Sequence, residues 1–261
     1  MADAISSPDN EKVKYLRSLR DHQGRQRASH YLIEGVRLLE EALNAGVTPS
    51  LVLVDEETLA QTPRGRELRR RLARIGYLPA TTRALRAAAE TVTPQGVVAA
   101  VPLPSLPRNE GTTVLVVDGV SDPGNLGTIL RTAEAAGARP VLLAPGTGDA
   151  FAPKVVRAGM GAHFRLPLVS GSWEELEPYL EERSVWLAQA GAGTPYYQVD
   201  WRRPSALIIG SEAAGPSPEA RRRATGTVTI PMEGPTESLN AAIAAAVVLF
   251  EALRQRSAMS F

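Results

Sequence analysis

The chain contains no cysteine among its 261 residues. Disulfide bonds, thiolate catalysis and cysteine-ligated metals are therefore excluded. Only three histidines occur, and their wide separation in the sequence argues against a histidine-rich metal site. No apolar run reaches the roughly 18 residues that a membrane-spanning helix needs. We therefore expect neither a metal centre nor a membrane association.

The charge of the chain is nearly balanced overall but unevenly distributed. The net charge is +1, with a basic excess up to Pro107 and an acidic excess after it. The N-terminal residues carry acids and no apolar core, so they lack the pattern of a secretory signal, and we expect a cytoplasmic protein. The basic excess comes from two clusters, namely Lys12, Lys14, Arg17, Arg20, Arg25 and Arg27, and Arg64, Arg66, Arg69, Arg70, Arg71 and Arg74. Such clusters either bind phosphates or form solvated helix faces.

The hydrophobic pattern predicts two α/β domains. In the first part, helices are expected over 11–28, 36–45, 65–75 and 84–90, and strands over 31–33, 51–54 and 96–101. The proline-rich stretch 102–111 predicts a semi-rigid linker, so we place the domains at 1–105 and 106–261. In the second part, strands are expected over 114–117, 141–143, 164–168, 185–188, 206–209 and 228–230. Helices are expected between most of them, including 173–182 behind a Ser172/Glu175 capping box and an Ala-rich helix over 238–256. This alternation predicts a mostly parallel sheet covered on both faces.

Three loops at the ends of predicted strands carry candidate functional residues. The first begins as a turn over 122–124 and leads into a helix, with Asn125 as the expected N-cap and Gly137 as the expected stop. Arg131 lies nearly two turns into this helix, and its long side chain could lean back toward the first turn. Ligands of α/β proteins collect at the carboxyl ends of parallel strands. The alternative is a capped helix with one solvated arginine.

The second and third loops contain small and polar residues in a similar position. One has the sequence G-S-E-A-A-G over 210–215, where Glu212 is the only acid and the glycines allow close backbone approach. The other runs from Ile230 through Met232 to Ser238, Leu239 and Asn240, at the start of the last predicted helix. Each loop alone could be ordinary turn chemistry.

Other nucleotide-binding and catalytic motifs are weak or missing. The pair Gly146 and Gly148 follows a strand, but Phe151 occupies the position of the third glycine of a dinucleotide fingerprint. The sequence contains no Walker loop, no G-x-S-x-G and no zinc motif. These observations leave little support for an NAD-dependent oxidoreductase, a nucleotidase or a serine hydrolase.

Taken together, the three loops resemble the three motifs of the SpoU/TrmH family of S-adenosylmethionine-dependent RNA ribose 2′-O-methyltransferases. The matching patterns are N-x-G-x-x-x-R at 125–131, G-S-E-x-x-G at 210–215 and I-P-M-x-G…S-L-N at 230–240, in the family's order. The front of the chain, with Y-L-I-E-G-V-R at 31–37 and T-P-Q-G at 93–96, resembles the family's L30e-like RNA-binding domain. The resemblance implies a C-terminal SPOUT domain with a deep trefoil knot, pairing into a homodimer.

The resemblance also implies a cofactor site and a catalytic site. S-adenosylmethionine would lie bent in the knot, against loops that supply Gly210, Ser211, Ile230, Met232, Leu239, Ala190 and Gly191, with the loop 190–193 closing the pocket. The catalytic set would be Arg131, Asn125, Ser238, Asn240 and Glu212. Arg131 matches the family's catalytic arginine. Because a guanidinium effectively never loses its proton, we expect it to clamp the ribose and its phosphate rather than act as a base. Glu212 would order the loops or the subunit interface.

The RNA substrate follows from the same resemblance. The separate front domain resembles that of the rRNA enzymes, whereas minimal tRNA enzymes often lack it, so 23S rRNA is favoured over tRNA. A tRNA 2′-O-methyltransferase of the family remains an alternative. A non-catalytic RNA-binding protein would explain the basic front part but not Asn125, Arg131 and the S-L-N segment 238–240.

Overall fold

A computed structural model of the chain describes residues 4–107, 111–191, 193–235 and 237–257. The chain forms two compact units. Unit 1 contains the residues up to Pro104 together with Phe151–Phe164, and unit 2 contains Ser105–Ala150 and the residues from Arg165 onwards. The chain therefore leaves unit 1, begins unit 2, and returns to unit 1 for one short segment. The functional division at 105/106 remains a prediction.

Unit 1 is built on a four-stranded sheet. Its strands are β1 (His30–Glu34), β2 (Leu51–Val54), β3 (Leu78–Pro79) and β4 (Val97–Pro102). Their order is β1-β4-β2-β3, with β4 antiparallel to both of its neighbours and β3 parallel to β2. Alternate residues of the strands enter two separate apolar clusters, one on each face of the sheet. Three of the four strands match the predicted ones.

The helices of unit 1 follow the predicted positions, except that one predicted helix is divided in two and that α4 was not predicted. They are α1 (Glu11–Ser18), α2 (His22–Ala28), α3 (Val36–Asn44), α4 (Glu56–Ala60), α5 (Pro63–Ile75) and α6 (Thr82–Ala88). The single helix predicted over 11–28 is wrong, because the chain breaks between α1 and α2 and the Arg25 side chain of α2 turns inward to that break. Its Nη1 donates to the carbonyl oxygens of Leu19 at 2.8 Å and Arg20 at 2.6 Å. Arg25 thus belongs to the interior of unit 1 and not to a basic surface.

Unit 2 is built on a seven-stranded sheet in which every neighbouring pair is parallel. The strands are β5 (Thr113–Asp118), β6 (Val141–Leu143), β7 (Leu168–Ser170), β8 (Ser184–Ala188), β9 (Thr194–Pro195), β10 (Ser205–Gly210) and β11 (Gly226–Thr229). The order is β7-β6-β5-β10-β8-β11-β9. The strand predicted over 164–168 is wrong: a 3₁₀ turn covers Ala162–Phe164, and the side chain of Phe164 packs in the core of unit 1.

The remaining helices refine several predicted boundaries. They are α7 (Pro123–Ala136), α8 (Pro153–Gly159, in unit 1), α9 (Trp173–Leu176), α10 (Pro218–Arg223) and α11 (Ala241–Ser257). The capping box of Ser172 and Glu175 is present, but α9 ends at Leu176, where a 3₁₀ turn over Glu177–Tyr179 continues the chain. Among the described residues, no helix has the length and apolarity needed to cross a membrane.

The first turn of α7 differs from the prediction. Asp122, and not Asn125, is the N-cap: its Oδ1 accepts a hydrogen bond from the backbone N–H of Asn125 at 2.8 Å. Pro123 occupies the first helical position, which favours a helix start there. The residues 122–124, predicted as a turn, therefore belong to the cap and the first turn of the helix. Gly137 ends the helix in the left-handed conformation, with φ of 69°, as predicted.

Candidate functional site

The three predicted loops meet at one edge of the sheet of unit 2. Strands β5, β10, β8 and β11 are consecutive in the sheet and parallel, so their carboxyl ends point to the same edge. The first loop follows β5, the second follows β10 and the third follows β11. The edge of a parallel sheet is where α/β proteins bind their ligands.

A pocket of about 310 Å³ lies between the second and third of these loops, within unit 2, and the loop after β8 adds to its wall. Six of the seven residues predicted to bind a cofactor line it: Ala190, Gly210, Ser211, Ile230, Met232 and Leu239. The seventh, Gly191, does not line the pocket, and Ala192 of the same predicted loop lies outside the described residues. Of the predicted catalytic residues, Glu212 and Ser238 line the pocket, whereas Asn125, Arg131 and Asn240 do not.

The pocket combines apolar walls with a few polar groups. Its apolar surface comes from strand ends and from the first turns of α11, with Ile209, Val228, Ile230, Leu239 and Val248 as the larger side chains. Its polar side chains are Gln189, Ser211, Glu212, Arg221 and Ser238. A pocket of this kind, mostly apolar with a small number of placed polar groups, is typical of cofactor and small-ligand sites.

Gly210 allows the second loop to fold tightly at the pocket. A side-chain Cβ at this position would lie 2.8 Å from the backbone nitrogen of Pro216, which is closer than any real contact. The loop therefore requires glycine where β10 ends. Asp118, at the end of the neighbouring strand β5, holds the far end of the same loop, because its Oδ2 accepts a hydrogen bond from the Ser217 N–H at 2.6 Å.

Three of the predicted catalytic residues form one hydrogen-bonded group that joins the three loops. Glu212 Oε1 accepts from Asn125 Nδ2 at 3.0 Å and from the Ala241 N–H at 2.7 Å. Asn125 Oδ1 in turn accepts from Asn240 Nδ2 at 2.9 Å. The side-chain amide of Asn125 is therefore engaged at both ends, and the three loops are fixed relative to one another by side chains.

Asn240 also begins the last helix. Its Oδ1 accepts hydrogen bonds from the backbone N–H groups of Ala242 at 3.0 Å and Ile243 at 3.3 Å, as an N-cap does. The helix starts at Ala241, later than the predicted residue 238. Ser238 consequently lies in the extended segment that forms the pocket wall, and not in the helix.

Arg131 lies on the exposed face of α7. It makes no hydrogen bond or ion pair with any other residue that the structure describes, and it does not reach back to Asn125 as the sequence suggested. The opposite face of α7 is buried and packs on α11. A single copy of the chain therefore presents the Arg131 guanidinium to solvent.

Two functional candidates were missed by reasoning from the sequence. Gln189 and Arg221 both line the pocket, and Arg221 Nη1 donates to Gln189 Oε1 at 3.2 Å. The position of Gln189 directly after β8 could have indicated it, since that strand ends at the same edge. Arg221 lies within a run of three arginines on α10, and nothing in the run distinguishes one arginine from the next.

The loop that contains Gly146 and Gly148 has a structural role. Thr147 Oγ1 accepts a hydrogen bond from the Gly119 N–H at 3.0 Å and donates to the Val117 carbonyl at 2.8 Å. The threonine thereby braces the end of β5. Phe151, at the position of the absent third glycine, packs against Tyr31 in unit 1.

A parallel α/β sheet with a cofactor-sized pocket at its carboxyl edge, built from a glycine-rich loop and an apolar one, is typical of enzymes that bind a nucleotide cofactor. Comparison with known families identifies the kind of enzyme. Residues 112–250 match the SpoU rRNA Methylase family, and residues 10–99 match the MRM3-like substrate binding domain. The chain belongs to the SpoU rRNA methylase family.

Relatives and solved structures agree with this assignment. The chain is 35% identical to the 23S rRNA (guanosine(2553)-2′-O)-methyltransferase RlmP of Bacillus subtilis, over 94% of this chain and 97% of that protein. It is 33% identical to the 23S rRNA (uridine(2479)-2′-O)-methyltransferase of Streptomyces viridochromogenes, over 89% of this chain and 85% of that protein. The crystal structure of the SpoU methyltransferase AviRb of Streptomyces viridochromogenes, in complex with the cofactor AdoMet, superposes with a TM-score of 0.82 at 30% identity, covering 95% of this chain and 98% of that one.

Proposed function

We propose that this protein transfers a methyl group from S-adenosylmethionine to a ribose 2′-hydroxyl of 23S rRNA. The observation that carries the proposal is the pocket at the carboxyl edge of the unit 2 sheet, which is lined by the second and third motif loops. The first motif loop is hydrogen-bonded to both of them through Asn125. These are the motifs of a family whose relatives are named as 23S rRNA 2′-O-methyltransferases. The two bacterial relatives act on different bases, so the class of RNA is supported more strongly than the nucleotide.

The chemistry of the pocket suits S-adenosylmethionine. The apolar side chains of Ile230 and Leu239 suit an adenine ring, and Gln189 and Arg221 supply donors for hydroxyl or carboxylate groups. The carboxylate of Glu212 suits a cationic ligand, since its Oε2 makes no hydrogen bond with the described residues. When bound, S-adenosylmethionine supplies a methyl group activated by the positive charge on its sulfur. The pocket residues bind it and exclude water around it.

Arg131 acts on the RNA. Its guanidinium is exposed and uncommitted among the described residues, so it is available to clamp the ribose and phosphate of the target nucleotide. Correct positioning of reactants can lower a barrier by roughly 7–11 kcal/mol, which makes a positioning role sufficient. The guanidinium keeps its proton, so the hydroxyl proton leaves to water or to the neighbouring phosphate.

Asn125, Glu212 and Asn240 act by holding the loops. Since each donates to or accepts from another loop, their main contribution is the fixed shape of the pocket mouth. Ser238, in the pocket wall, is free to contact the ligand directly. The knot implied by the family resemblance would add a topological constraint to the same loops.

The active form is a homodimer that pairs through unit 2. On α11, the side chains of Ile243 and Phe250 are 53% and 49% exposed, seven residues apart and therefore on one helix face. Exposed apolar stripes on helices commonly mark subunit contacts. Such a pair would bring two copies of the RNA-binding unit 1 to one RNA. Because the similar RlmP protein is bacterial, we also propose a cytoplasmic location for this enzyme.

The test is a methylation assay with the full chain, radiolabelled S-adenosylmethionine and either transcribed 23S rRNA or total tRNA. Labelled 23S rRNA, with one nucleotide resistant to alkaline cleavage on its 3′ side, is the expected result. Labelling of tRNA alone would replace the proposal by the tRNA enzyme of the same family. Binding of S-adenosylmethionine without labelling of either RNA would contradict both.

A further inference from the structure

Unit 1 contains a second cavity, of about 320 Å³, that the proposed methyl transfer does not use. It lies where β1 passes into α3, under the loop of residues 91–95, with α8 on the remaining side. The α8 wall comes from the segment of the chain that returns to unit 1. Parts of unit 1 far apart in the sequence therefore converge on this cavity.

Partly buried hydrogen bonds hold the walls of the cavity in place. Glu34 Oε1 accepts from the Glu90 N–H at 2.5 Å, and its Oε2 accepts from Thr91 Oγ1 at 2.8 Å. Both oxygens of the Glu34 carboxylate are thus hydrogen-bonded to residues 90 and 91. Gln95 Oε1 accepts from the Val36 N–H at 3.3 Å, and a Cβ at Gly35 would lie 2.9 Å from the same oxygen. Gly35 has φ of 90°, a backbone conformation that favours glycine at this corner of the cavity.

The polar groups left for a ligand are mostly donors. Arg37 is exposed and makes no hydrogen bond or ion pair within the described part of the chain. Arg157 Nη1 binds Glu90 Oε2 at 2.5 Å, while its remaining N–H groups have no acceptor among the described residues. The carboxamide nitrogen of Gln95 and the hydroxyl of Thr93 add further donors on the opposite wall.

The cavity also has an apolar part. Leu38, which is almost fully buried, and the half-buried Met160 both line it. A simple anion would not use these surfaces, and a double helix is too wide to enter a cavity of this size. A single unstacked nucleotide has the matching chemistry: a flat apolar base that packs on arginine or aliphatic side chains, base edges that accept hydrogen bonds, and an anionic phosphate.

We infer that this cavity binds one unpaired nucleotide of the RNA substrate, distinct from the nucleotide that is methylated. The inference rests on the proposed function, because that function makes RNA the substrate. It assigns to unit 1 a site that recognises the shape of this RNA. Arg37 contacts the phosphate, Arg157 and Gln95 contact the base edge, and Met160 packs on the base.

The arginine-rich helix α5 is a weaker candidate for this role. Arg64 pairs with Glu40, Arg70 lies 2.6 Å from Glu67, and Arg71 donates to Asn44 at 3.0 Å. These arginines are already engaged on the surface of unit 1, whereas Arg37 is not.

The experiment compares Arg37→Gln with Arg83→Gln, because Arg83 is another exposed arginine of unit 1 that does not line the cavity. Two double variants each remove a whole ion pair. Arg157→Gln with Glu90→Gln removes the pair at the cavity, and Arg222→Gln with Glu219→Gln, which removes a pair on α10, is its control. Full-length proteins are bound to transcribed 23S rRNA in the presence of S-adenosylhomocysteine, and the backbone is probed by 2′-hydroxyl acylation. Cofactor binding by calorimetry and the thermal midpoint confirm that each variant is folded.

The wild-type protein and both controls are expected to protect one unpaired nucleotide that is not the methylated one. Arg37→Gln or the Arg157 pair should lose that protection and bind the RNA about tenfold more weakly, the loss expected for one charge-assisted contact. Retention of the protection and of the affinity in both cavity variants, with methylation by the wild type intact, would overturn the inference and leave the proposed function standing. Failure of the wild type to methylate 23S rRNA would instead remove the proposed function itself.

Discussion

The side-chain amides of Asn125 and Asn240 are joined by a hydrogen bond of 2.9 Å, although 115 residues separate them in the sequence. One residue lies in the first turn of α7 and the other caps α11, the two helices that pack together in unit 2. Glu212, from the loop after β10, binds Asn125 and the start of α11 at once. Hydrogen bonds of three polar side chains thus hold the three loops of the site together.

The hydrogen bond between Asn125 and Asn240 predicts that substitutions of these two residues are energetically coupled. Asn125→Ala and Asn240→Ala should each destabilise unit 2, the second also through the lost helix cap, by about 1 kcal/mol each. In the double variant the losses should be less than additive, because the shared bond is lost only once. Urea unfolding of the four proteins of the cycle measures this. A parallel cycle of Asn125→Ala with Ser172→Ala, the cap of α9, should be additive.

Arg131→Ala should abolish methylation and leave the affinity for S-adenosylmethionine within a few-fold of the wild type. The reason is that Arg131 does not line the pocket and has no structural partner among the described residues. Single-turnover methylation and calorimetry measure the two quantities. Arg139→Ala, at another exposed arginine of unit 2, is the matched control and should keep its activity. Near-normal turnover of Arg131→Ala would remove the arginine from the mechanism.

Leu239→Asp should weaken cofactor binding at least a hundredfold. A carboxylate would then face the apolar wall of the pocket, where an unpaired charge costs several kcal/mol. Titration calorimetry with S-adenosylmethionine provides the measurement. Ile75→Asp places the same charge on an exposed residue of unit 1 and should leave the affinity unchanged. If folded Leu239→Asp binds normally, the cofactor site lies elsewhere.

The proposed dimer predicts that Ile243→Lys combined with Phe250→Lys yields monomers with little methylation activity. Both side chains are about half exposed, so the substitutions should not disturb the fold of a single copy. Sedimentation equilibrium at micromolar concentration distinguishes the two states, and Ile75→Lys serves as the control for an added surface charge. A wild-type protein that is monomeric and fully active would contradict the dimer.

Asp55 predicts a pH-dependent contribution to stability. Burial tends to raise the pKa of its carboxyl, but hydrogen bonds from Thr82 and Thr58 outweigh this and leave the pKa below its usual value. A group with a lowered folded pKa stabilises the protein above its unfolded pKa and loses that contribution as the pH falls through the folded one. Asp55→Asn should therefore cost about 1–3 kcal/mol at pH 7, and little at pH 2–3.

Urea unfolding at several pH values gives the comparison. Asp9→Asn, at an exposed aspartate, should show no such trend. A penalty for Asp55→Asn that stays constant down to acid pH would show that the side chain acts by shape and not by charge.

Much of the fold could be predicted from the sequence because its signals are local. The apolar runs of β2 and β6 were predicted with their observed bounds. Five of the six pocket residues followed from motifs that each occupy one loop, and the sixth, Ala190, followed from the family resemblance. The helix cap at Asp122 was also within reach, since Pro123 marks the first helical position. Choosing Asn125 instead overlooked that signal.

The rest depends on contacts between distant residues. No local pattern shows that Arg25 turns inward to two carbonyl groups, or that Asn125 is bound on both sides by other loops. The strands β3 and β9 have two residues each, too few for a period of two to be recognised. Phe164 was assigned to a strand of the second domain because it is apolar, whereas its side chain packs in the core of unit 1.

The return of Phe151–Phe164 to unit 1 has a consequence for synthesis of the chain. Val156 and Phe164 complete an apolar cluster whose other members all come from residues before Pro102. During translation, part of the core of unit 1 therefore stays exposed while β5, α7 and β6 are synthesised. The last contacts of unit 1 form only after the first strands of unit 2 have left the ribosome, so the two units cannot fold in simple succession.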